Sequence, residues 1–210
     1  MVYNSFEQLV AKVKGYPERK RMAVAVAEDS HTLEAVMEAW EEGIISPLLV
    51  GRKEKILSTL QDMGKIVPDE DIYHAENEEE ACELAVQLVR DKKADFLMKG
   101  KVDTKVILKA VVNKEKGLGQ GRTMSHFTMF EVPTYHKILV AVDGGMVTYP
   151  TLEQKKDIID NTVATLRAMG YDCPKVGVLA CVEKVNPKMP ETVDADALRQ
   201  MNVRGEIENC

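Results

Sequence analysis

The sequence lacks the features that mark membrane, secreted and zinc-binding proteins. No apolar run among its 210 residues approaches the roughly 20 residues needed to cross a bilayer. The start of the chain, Met1–Glu7, has no basic region followed by an apolar core, so no signal peptide is predicted. Only four cysteines occur, none in a C-x-x-C pair and none at zinc-binding spacing. We therefore expect reduced, structural thiols and a cytoplasmic protein.

An excess of basic charge is also absent. The formal net charge is −6, which argues against a general nucleic-acid binder, although a local basic patch can still bind a small anion. The histidines are scattered and have no clustered Asp or Glu partners, so no metal site is predicted. Apolar residues make up 45% and charged residues 30% of the chain, as is ordinary for a globular domain.

Short apolar runs alternate with segments of helical period. The runs are rich in Val, Leu and Ala and show little polar alternation, which is typical of strands buried on both faces of a parallel sheet. They are Met22–Ala27, Pro47–Val50, Ala94–Met98, Ile138–Val142 and Val176–Cys181. Strands that alternate with helices predict an α/β fold, with a parallel-rich sheet flanked by helices.

Capping residues predict where the helices begin. Asp29 or Ser30 can cap the helix that follows the first strand. Asn77–Glu80 and Thr151–Gln154 have the spacing of capping boxes, in which the first side chain and the fourth satisfy each other's backbone N–H groups. A last helix is predicted over about 193–202, with Thr192 as its cap.

One region breaks the alternation of strands and helices. The glycine-rich stretch Gly117–Gly121 follows a helix and precedes a strand, the reverse of the order in a dinucleotide fingerprint, so a flexible loop is predicted. Thr123–Val132 and Lys137–Val142 are predicted strands joined by a short turn, which implies an antiparallel pair. We place a change between two lobes here, with residues 1–136 in the first and 137–210 in the second.

The segment Lys99–Thr104 is the most informative in the chain. Lys99 and Lys101 flank Gly100 at the end of an apolar strand, and Asp103 or Thr104 can cap the helix that follows. A helix N-terminus with basic neighbours at the carboxyl end of a strand favours binding of phosphate or another anion. A solvated strand-to-helix turn is the alternative reading of the same spacing.

Polar residues in the region that breaks the alternation form a second candidate group. Ser125 and His126 are adjacent, so in a strand they point to opposite faces and do not form a nucleophile–base pair. Ser125, with Arg122 nearby, can instead donate to a phosphate or carbonyl oxygen, and no Ser-His-Asp triad is identifiable. Asp143 ends a buried strand and can bind an amide or hydroxyl; a turn-stabilising aspartate is the alternative.

As a linked set, these segments resemble the phosphate acetyl/butyryltransferase family. The order and spacing are those of the butyryl branch, and the resemblance runs from about Met22 to Cys210. The motifs that carry it are Lys99–Thr104, Asn113–Glu115, Ser125–His126, Phe130–Glu131, Asp143–Met146, Pro174–Leu179, Glu183–Met189 and Thr192–Ala195.

The resemblance implies a fold, a reaction and a set of site residues. The fold is the isocitrate/isopropylmalate-dehydrogenase-like α/β class, with two lobes and a cleft. The reaction moves an acetyl or butyryl group between coenzyme A and inorganic phosphate, with coenzyme A as a substrate and no tightly bound cofactor. Ser125 is the candidate catalytic residue, and the candidate binding residues are Lys99, Lys101, Asp103, Thr104, Arg122, His126, Asp143 and Asn186.

The chain also departs from that family. Family members are about half again as long and continue with further strands and a Ser-Arg-Ser-Asp-like motif, so we expect a truncated chain with an incomplete second lobe. Exposed edge strands of an unfinished sheet favour a homo-oligomer. A non-catalytic module that binds acyl-CoA or a partner is an alternative. A decarboxylating dehydrogenase on the same fold is another, but it needs metal-binding aspartates and a nicotinamide site, and neither is visible.

Overall fold

A computed structural model describes residues 3–210 of the chain and divides them into two compact units. The N-terminal unit comprises residues 9–120, and the C-terminal unit comprises residues 121–210 together with residues 3–8. The division falls after Gln120, earlier in the chain than the predicted boundary after His136. The two-lobed arrangement expected from the resemblance stays a prediction.

The N-terminal unit alternates strands and helices, as the sequence predicts. After α1 (Phe6–Lys14), its elements are β1 (Lys20–Ala25), α2 (Ser30–Glu41), β2 (Ile45–Gly51), α3 (Lys53–Asp62), a 3-10 turn (Asp69–Asp71), β3 (Ile72–His74), α4 (Glu78–Arg90), β4 (Phe96–Lys99) and α5 (Thr104–Val111). The strands form one parallel sheet in the order β3-β2-β1-β4. The three predicted strands in this unit are confirmed, and β3 is an addition.

Both faces of the two central strands of this sheet, β1 and β2, are buried. Successive side chains of β1 point to opposite faces, so Ala23 packs with the α4 and α5 side while Val24 packs with the α2 and α3 side. Leu48 and Leu49 of β2 divide in the same way. Because helices cover both faces, the predicted α/β architecture with a parallel sheet flanked by helices is confirmed.

The predicted helix caps are largely present. The Asp29 carboxylate accepts hydrogen bonds from the Thr32 backbone N–H and hydroxyl, at 3.1 and 2.6 Å. The Thr151–Gln154 capping box is complete at the start of the helix over residues 152–168. The Asn77–Glu80 box is not. Asn77 caps α4, but the Glu80 carboxylate reaches back to the N–H of Glu76 instead, at 2.9 Å.

The C-terminal unit has less regular structure. It contains β5 (Thr128–Phe130), β6 (Leu139–Ala141), α6 (Leu152–Ala168) and α7 (Pro190–Val203). The two strands pair antiparallel, as predicted, with Met129 opposite Val140. A small core joins the two helices to the end of the chain through Ile159, Val163, Leu198 and Ile207.

Three sequence predictions in the C-terminal unit are wrong. Val176–Cys181 is not a strand: it has no regular structure and Leu179 is 93% exposed, because no described strand pairs with it. The strand predicted over Thr123–Val132 shortens to β5. Thr192 does not cap the last helix, since Met189 is the N-cap and a proline occupies the first helical position.

None of the helices formed by residues 3–210 is long and apolar enough to span a bilayer.

Candidate functional site

The turn between β4 and α5 lies against the end of β1. The Gly100 N–H donates to the carbonyl oxygen of Ala25 at 2.8 Å. A Cβ placed on Gly100 would lie only 2.3 Å from the carbonyl oxygen of Val26. Glycine is therefore required for this close approach. The sheet order places β2 on one side of β1 and β4 on the other, which makes this edge a topological switch point of the kind where α/β sheets bind ligands.

The two lysines of this turn have different surroundings. The Lys99 ammonium folds back onto its own turn and donates to the carbonyl oxygens of Val102 at 2.9 Å and Gly100 at 3.3 Å. Lys101 is exposed. Burial raises the pKa of Asp29, but hydrogen bonds from Thr32 and the charge of Lys101 outweigh it and lower that pKa. Lys101 is thus the lysine whose charge is directed toward the β1–α2 loop.

Asp103, rather than Thr104, caps α5. Its carboxylate accepts from the Lys105 N–H at 2.7 Å, and Thr104 is the first, exposed residue of the helix. The cap holds the positive end of α5 next to the turn that carries Lys101. The four predicted residues of this segment are therefore brought together within the N-terminal unit.

A charged cluster that the sequence analysis missed lies at the same edge of the sheet. The Arg52 guanidinium forms a forked ion pair with Glu28, from Nε at 3.0 Å and from Nη2 at 2.5 Å, and the Arg52 backbone N–H donates at 2.9 Å. Lys55 lies 3.7 Å from the same carboxylate. The available signal was an acid directly after β1 and a base directly after β2. The Glu28 side chain is 13% exposed, whereas that of Arg52 is 46% exposed, so only the carboxylate side of the pair is shielded from solvent.

The titration of Glu28 gives a testable pH dependence. Burial raises the pKa of Glu28, but Arg52 and Lys55 outweigh it and hold the pKa below the ordinary 4.5. The stabilisation is therefore complete above about pH 4.5 and is lost as the pH falls through the folded-state pKa.

We expect E28Q to lower the free energy of unfolding at pH 7 by about 1 to 2 kcal/mol and to flatten its fall in acid. Urea unfolding between pH 3 and 7 measures both effects. E83Q, on exposed Glu83 of α4, is the control; equal acid slopes in E28Q and the unmodified chain would refute this role.

In the C-terminal unit, α6 holds the segment that carries Ser125. The Asp157 carboxylate accepts from the Thr123 N–H at 3.0 Å and from its hydroxyl at 2.7 Å. The Asn161 side-chain nitrogen donates to the Thr123 carbonyl at 2.8 Å and to the Ser125 hydroxyl at 3.2 Å. Asp157 and Asn161 are four residues apart and share one face of α6. The sequence analysis missed both, because their partners lie more than 30 residues away.

The negative charge of Asp157 suits its role as acceptor of the two Thr123 hydrogen bonds. Backbone and side-chain hydrogen bonds from Thr123 lower the pKa of Asp157, and the charges of Lys156 and Arg122 act in the same direction. The charged carboxylate accepts both hydrogen bonds of Thr123 more strongly than a neutral carboxyl group does. Arg122 and Ser125 line one cavity of about 370 Å³ together with Met124, Phe127, Asn161, Thr162, Ala164 and Thr165.

His126 and Asp143 meet at a neighbouring turn of the same unit. The His126 ring is 3.1 Å from the Thr128 hydroxyl, and a Cβ on Gly144 would lie 3.4 Å from its Nδ1. The Asp143 carboxylate accepts from the N–H groups of Gly145 and Met146, both at 2.9 Å. Burial raises the pKa of Asp143, but these N–H donors outweigh it and lower the pKa. These bonds are those of the turn-stabilising alternative.

Asn186 shapes the entrance to α7. Its side-chain oxygen accepts from the Lys188 N–H at 3.0 Å, and its backbone N–H donates to the Thr192 hydroxyl at 2.9 Å. None of these bonds reaches Ser125, Arg122 or Asp143, and Asn186 does not line the cavity that Arg122 and Ser125 share. In residues 3–210, no group of three or more His, Cys, Asp or Glu side chains is placed to hold a metal ion.

Comparison with known proteins decides the family. Residues 69–209 match the family described as "Phosphate acetyl/butaryl transferase". The chain belongs to this family. The resemblance stated from the linked motifs is thereby confirmed.

Two curated relatives in the phosphate acetyl/butyryl transferase family illustrate the match. The chain is 43% identical over 206 residues to the phosphate butyryltransferase of Clostridium acetobutylicum, and the match covers 98% of this chain and 68% of that protein. It is 40% identical to the phosphate acetyltransferase of Thermotoga maritima over 204 residues, which are 97% of this chain and 68% of the relative. The chain thus spans about two thirds of the length of these family members.

Solved structures agree with the fold. The branched-chain phosphotransacylase of Enterococcus faecalis superposes with a TM-score of 0.70 at 23% identity, over 90% of this chain and 65% of that one. A phosphotransacetylase of Streptococcus pyogenes gives a TM-score of 0.66 at 16% identity, over 93% of this chain and 69% of that one. The fold of this family member is therefore that of phosphotransacylases. Its isocitrate-dehydrogenase-like classification and the roles of individual site residues stay predictions.

Proposed function

We propose that this chain serves the transfer of an acetyl or butyryl group between coenzyme A and inorganic phosphate, so that acyl-CoA and phosphate give acyl phosphate and free coenzyme A. The observation that carries the proposal is the match to the phosphate acetyl/butyryl transferase family, with 43% identity to a phosphate butyryltransferase across almost the whole chain. Coenzyme A is then a substrate and no tightly bound cofactor is needed.

The reaction sets the requirements for the site. A phosphate oxygen attacks the thioester carbonyl carbon, a C–O bond forms, the C–S bond breaks, and coenzyme A leaves as a thiol after it takes up a proton. Phosphate carries dense negative charge, so cations and N–H donors must bind it. The tetrahedral oxyanion needs hydrogen-bond donors aimed at it, and holding both substrates together supplies much of the rate. No covalent enzyme nucleophile is required.

The N-terminal unit offers the phosphate-binding groups of this proposal. Lys101 supplies an exposed positive charge, and Thr104 opens the positive end of α5 beside it. Lys99 acts through the turn, because its ammonium is engaged by the carbonyl oxygens of Gly100 and Val102. Asp103 caps α5 and keeps this arrangement.

The C-terminal unit offers the groups that contact the phosphoryl or carbonyl oxygen. Ser125 and Arg122 line one cavity, and a hydroxyl donor beside a guanidinium suits an oxygen that gains negative charge. His126, Asp143 and Asn186 complete the proposed substrate contacts. The side-chain hydrogen bonds of these three residues go to neighbouring residues of their own turns, which makes Ser125 the better supported of the candidates.

A thiol-release assay tests the reaction. Butyryl-CoA and acetyl-CoA are incubated with the chain, and free thiol is followed colorimetrically with phosphate or with sulfate at equal ionic strength. We expect release that depends on phosphate and is not supported by sulfate. Binding of butyryl-CoA without phosphate-dependent release would favour the non-catalytic binding module, and metal-dependent reduction of NAD would favour the dehydrogenase.

Replacing Lys101 and, as a control, a lysine of α5 tests whether Lys101 contacts phosphate. K101M is expected to raise the KM for phosphate about tenfold, equivalent to about 1.4 kcal/mol. K109M, on another lysine of the same unit at the far end of α5, is the matched control. Equal values of KM in the two variants would remove Lys101 from the phosphate site.

A homo-oligomer in the cytoplasm belongs to the same proposal. Phe130 on β5 and Leu139 on β6 are 45% and 38% exposed, and a two-stranded sheet with such apolar side chains favours association. Sedimentation equilibrium tests this point, and a monomer at all concentrations would contradict it.

A further inference from the structure

The side-chain amide of Asn161 spans two residues of the segment that precedes β5. Its nitrogen lies 2.8 Å from the Thr123 carbonyl oxygen and 3.2 Å from the Ser125 hydroxyl oxygen. A carbonyl oxygen can only accept a hydrogen bond, so the NH2 end of the amide must face it. One N–H then donates to Thr123 and the other donates to Ser125. The orientation of this amide is therefore fixed by the backbone it touches.

This geometry sets the direction of the Ser125 hydrogen bond. The hydroxyl oxygen accepts from Asn161, and in the described part of the chain the hydroxyl makes no other hydrogen bond. Its proton is thus left for an acceptor outside the protein. We infer that Asn161 is a positioning residue that orients Ser125 as a hydrogen-bond donor to an oxygen of the substrate. The inference rests on the proposed function and deepens the role of Ser125 within it.

The arrangement is built on a rigid element. α6 is 17 residues long, starts with a complete capping box and contributes Ile158, Ile159, Thr162, Val163 and Leu166 to the interior. Asp157, one turn before Asn161, holds Thr123 with two further hydrogen bonds at 2.7 and 3.0 Å. Donors held on a packed helix keep their geometry better than donors held by loops.

The space beside the hydroxyl supports the inference. Ser125 and Asn161 both line the cavity of about 370 Å³ that also contains Arg122, a cation with no ion pair among the described residues. An acceptor oxygen placed there would find a directed hydroxyl proton and a positive charge. A phosphoryl oxygen or the oxyanion of the tetrahedral intermediate has this chemistry.

Variants of Asn161 test the direction of the bond by activity. In N161D, the carboxylate has only acceptors, attracts the Ser125 proton and brings negative charge, so kcat should fall about a hundredfold. N161A removes the group that orients the Ser125 hydroxyl, and we expect kcat to fall about tenfold. D160N, on the neighbouring residue of α6 whose partner is Lys156, is the control and should retain kcat. In the double variant S125A/N161A, kcat should lie within about threefold of S125A, because N161A adds no charge and both changes remove the same interaction. Full additivity would reduce Asn161 to a structural residue and overturn the inference.

A second readout does not depend on turnover. In S125C, the thiolate that reacts with iodoacetamide should be stabilised by the Asn161 N–H. Rates are measured between about pH 6 and 10 and assigned peptide by peptide by mass spectrometry, with exposed Cys173 and Cys181 as internal references. At pH 7.5 we expect alkylation of the S125C thiol to be about tenfold slower in S125C/N161D, while the reference rates stay constant.

The two readouts separate the inference from the function on which it rests. Equal alkylation rates in S125C and S125C/N161D would overturn the role of Asn161 whatever the activity. A rate difference in a chain that releases no thiol from butyryl-CoA would support the orientation of the Ser125 group and refute the proposed acyl transfer.

Discussion

Replacing Gly100 by alanine is expected to lower the free energy of unfolding by about 3 kcal/mol or more. The new Cβ would lie 2.3 Å from the Val26 carbonyl oxygen and 2.7 Å from that of Ala25. Both atoms belong to the backbone at the end of the buried central strand, where no flexible side chain can move away. Relief of the clash requires β4 to separate from β1, which breaks the 2.8 Å hydrogen bond from Gly100 to Ala25. Urea unfolding followed by circular dichroism measures the change.

A matched glycine isolates this effect from that of a generic Gly-to-Ala change. Gly119 has no atom within 4 Å of an added Cβ, so G119A should change the free energy of unfolding by less than about 0.5 kcal/mol. Equal unfolding midpoints for G100A and G119A would show that β4 does not approach β1 as closely as described. Because Lys101 follows Gly100 directly, a displaced turn in G100A should also weaken phosphate binding.

Local signals were sufficient to predict most of the N-terminal unit. The apolar runs within Met22–Ala27 and Pro47–Val50 are buried on both faces, and this burial produces the continuous apolar pattern that was read. Asp29 and Asn77 each cap a helix by accepting a hydrogen bond from the residue three positions later. Such a short spacing makes their capping role recognisable from the local sequence. β3 escaped notice because three residues, Ile72–His74, are too few to form a pattern.

Pairing explains the failures in the C-terminal unit. Val176–Cys181 has the composition of a buried strand, but a strand is stable only beside another strand or a covering helix. The composition of a segment shows that it can form a strand. It does not show whether another part of the chain pairs with that strand. The same reason accounts for Thr123–Val132, of which only Thr128–Phe130 finds a partner in β6.

The candidate site was predictable as a set of residues and not as a set of contacts. Spacing made Lys99 and Lys101 equivalent, whereas their contacts differ: the Lys99 ammonium donates to carbonyl oxygens of its own turn, and the charge of Lys101 acts on Asp29. Asn161 gave no signal, because a polar residue on a helix face is ordinary until its partner is known. Its contact with Ser125 crosses 36 residues of sequence.

Replacing Ser125 by alanine is expected to lower kcat for acyl transfer about a hundredfold, as loss of one directed donor does in other acyl-transfer sites. Stability should change by less than about 1 kcal/mol, because the half-buried hydroxyl makes one hydrogen bond and Asn161 keeps its bond to Thr123. The measurements are kcat and KM in the phosphate-dependent thiol-release assay, together with urea unfolding of the same samples.

The separate effects of S125A on kcat and on KM identify the step in which the Ser125 hydroxyl acts. A fall in kcat with an unchanged KM for butyryl-CoA places its hydrogen bond in the transition state, whereas a rise in KM alone places it in substrate binding. S58A, on an exposed serine of α3, controls for the loss of a hydroxyl elsewhere. Unaltered kcat and KM in S125A would remove Ser125 from the reaction. The Asn161–Ser125 hydrogen bond would then serve only to pin Thr123–Ser125 to α6, a function that Asp157 already supports through two hydrogen bonds to Thr123.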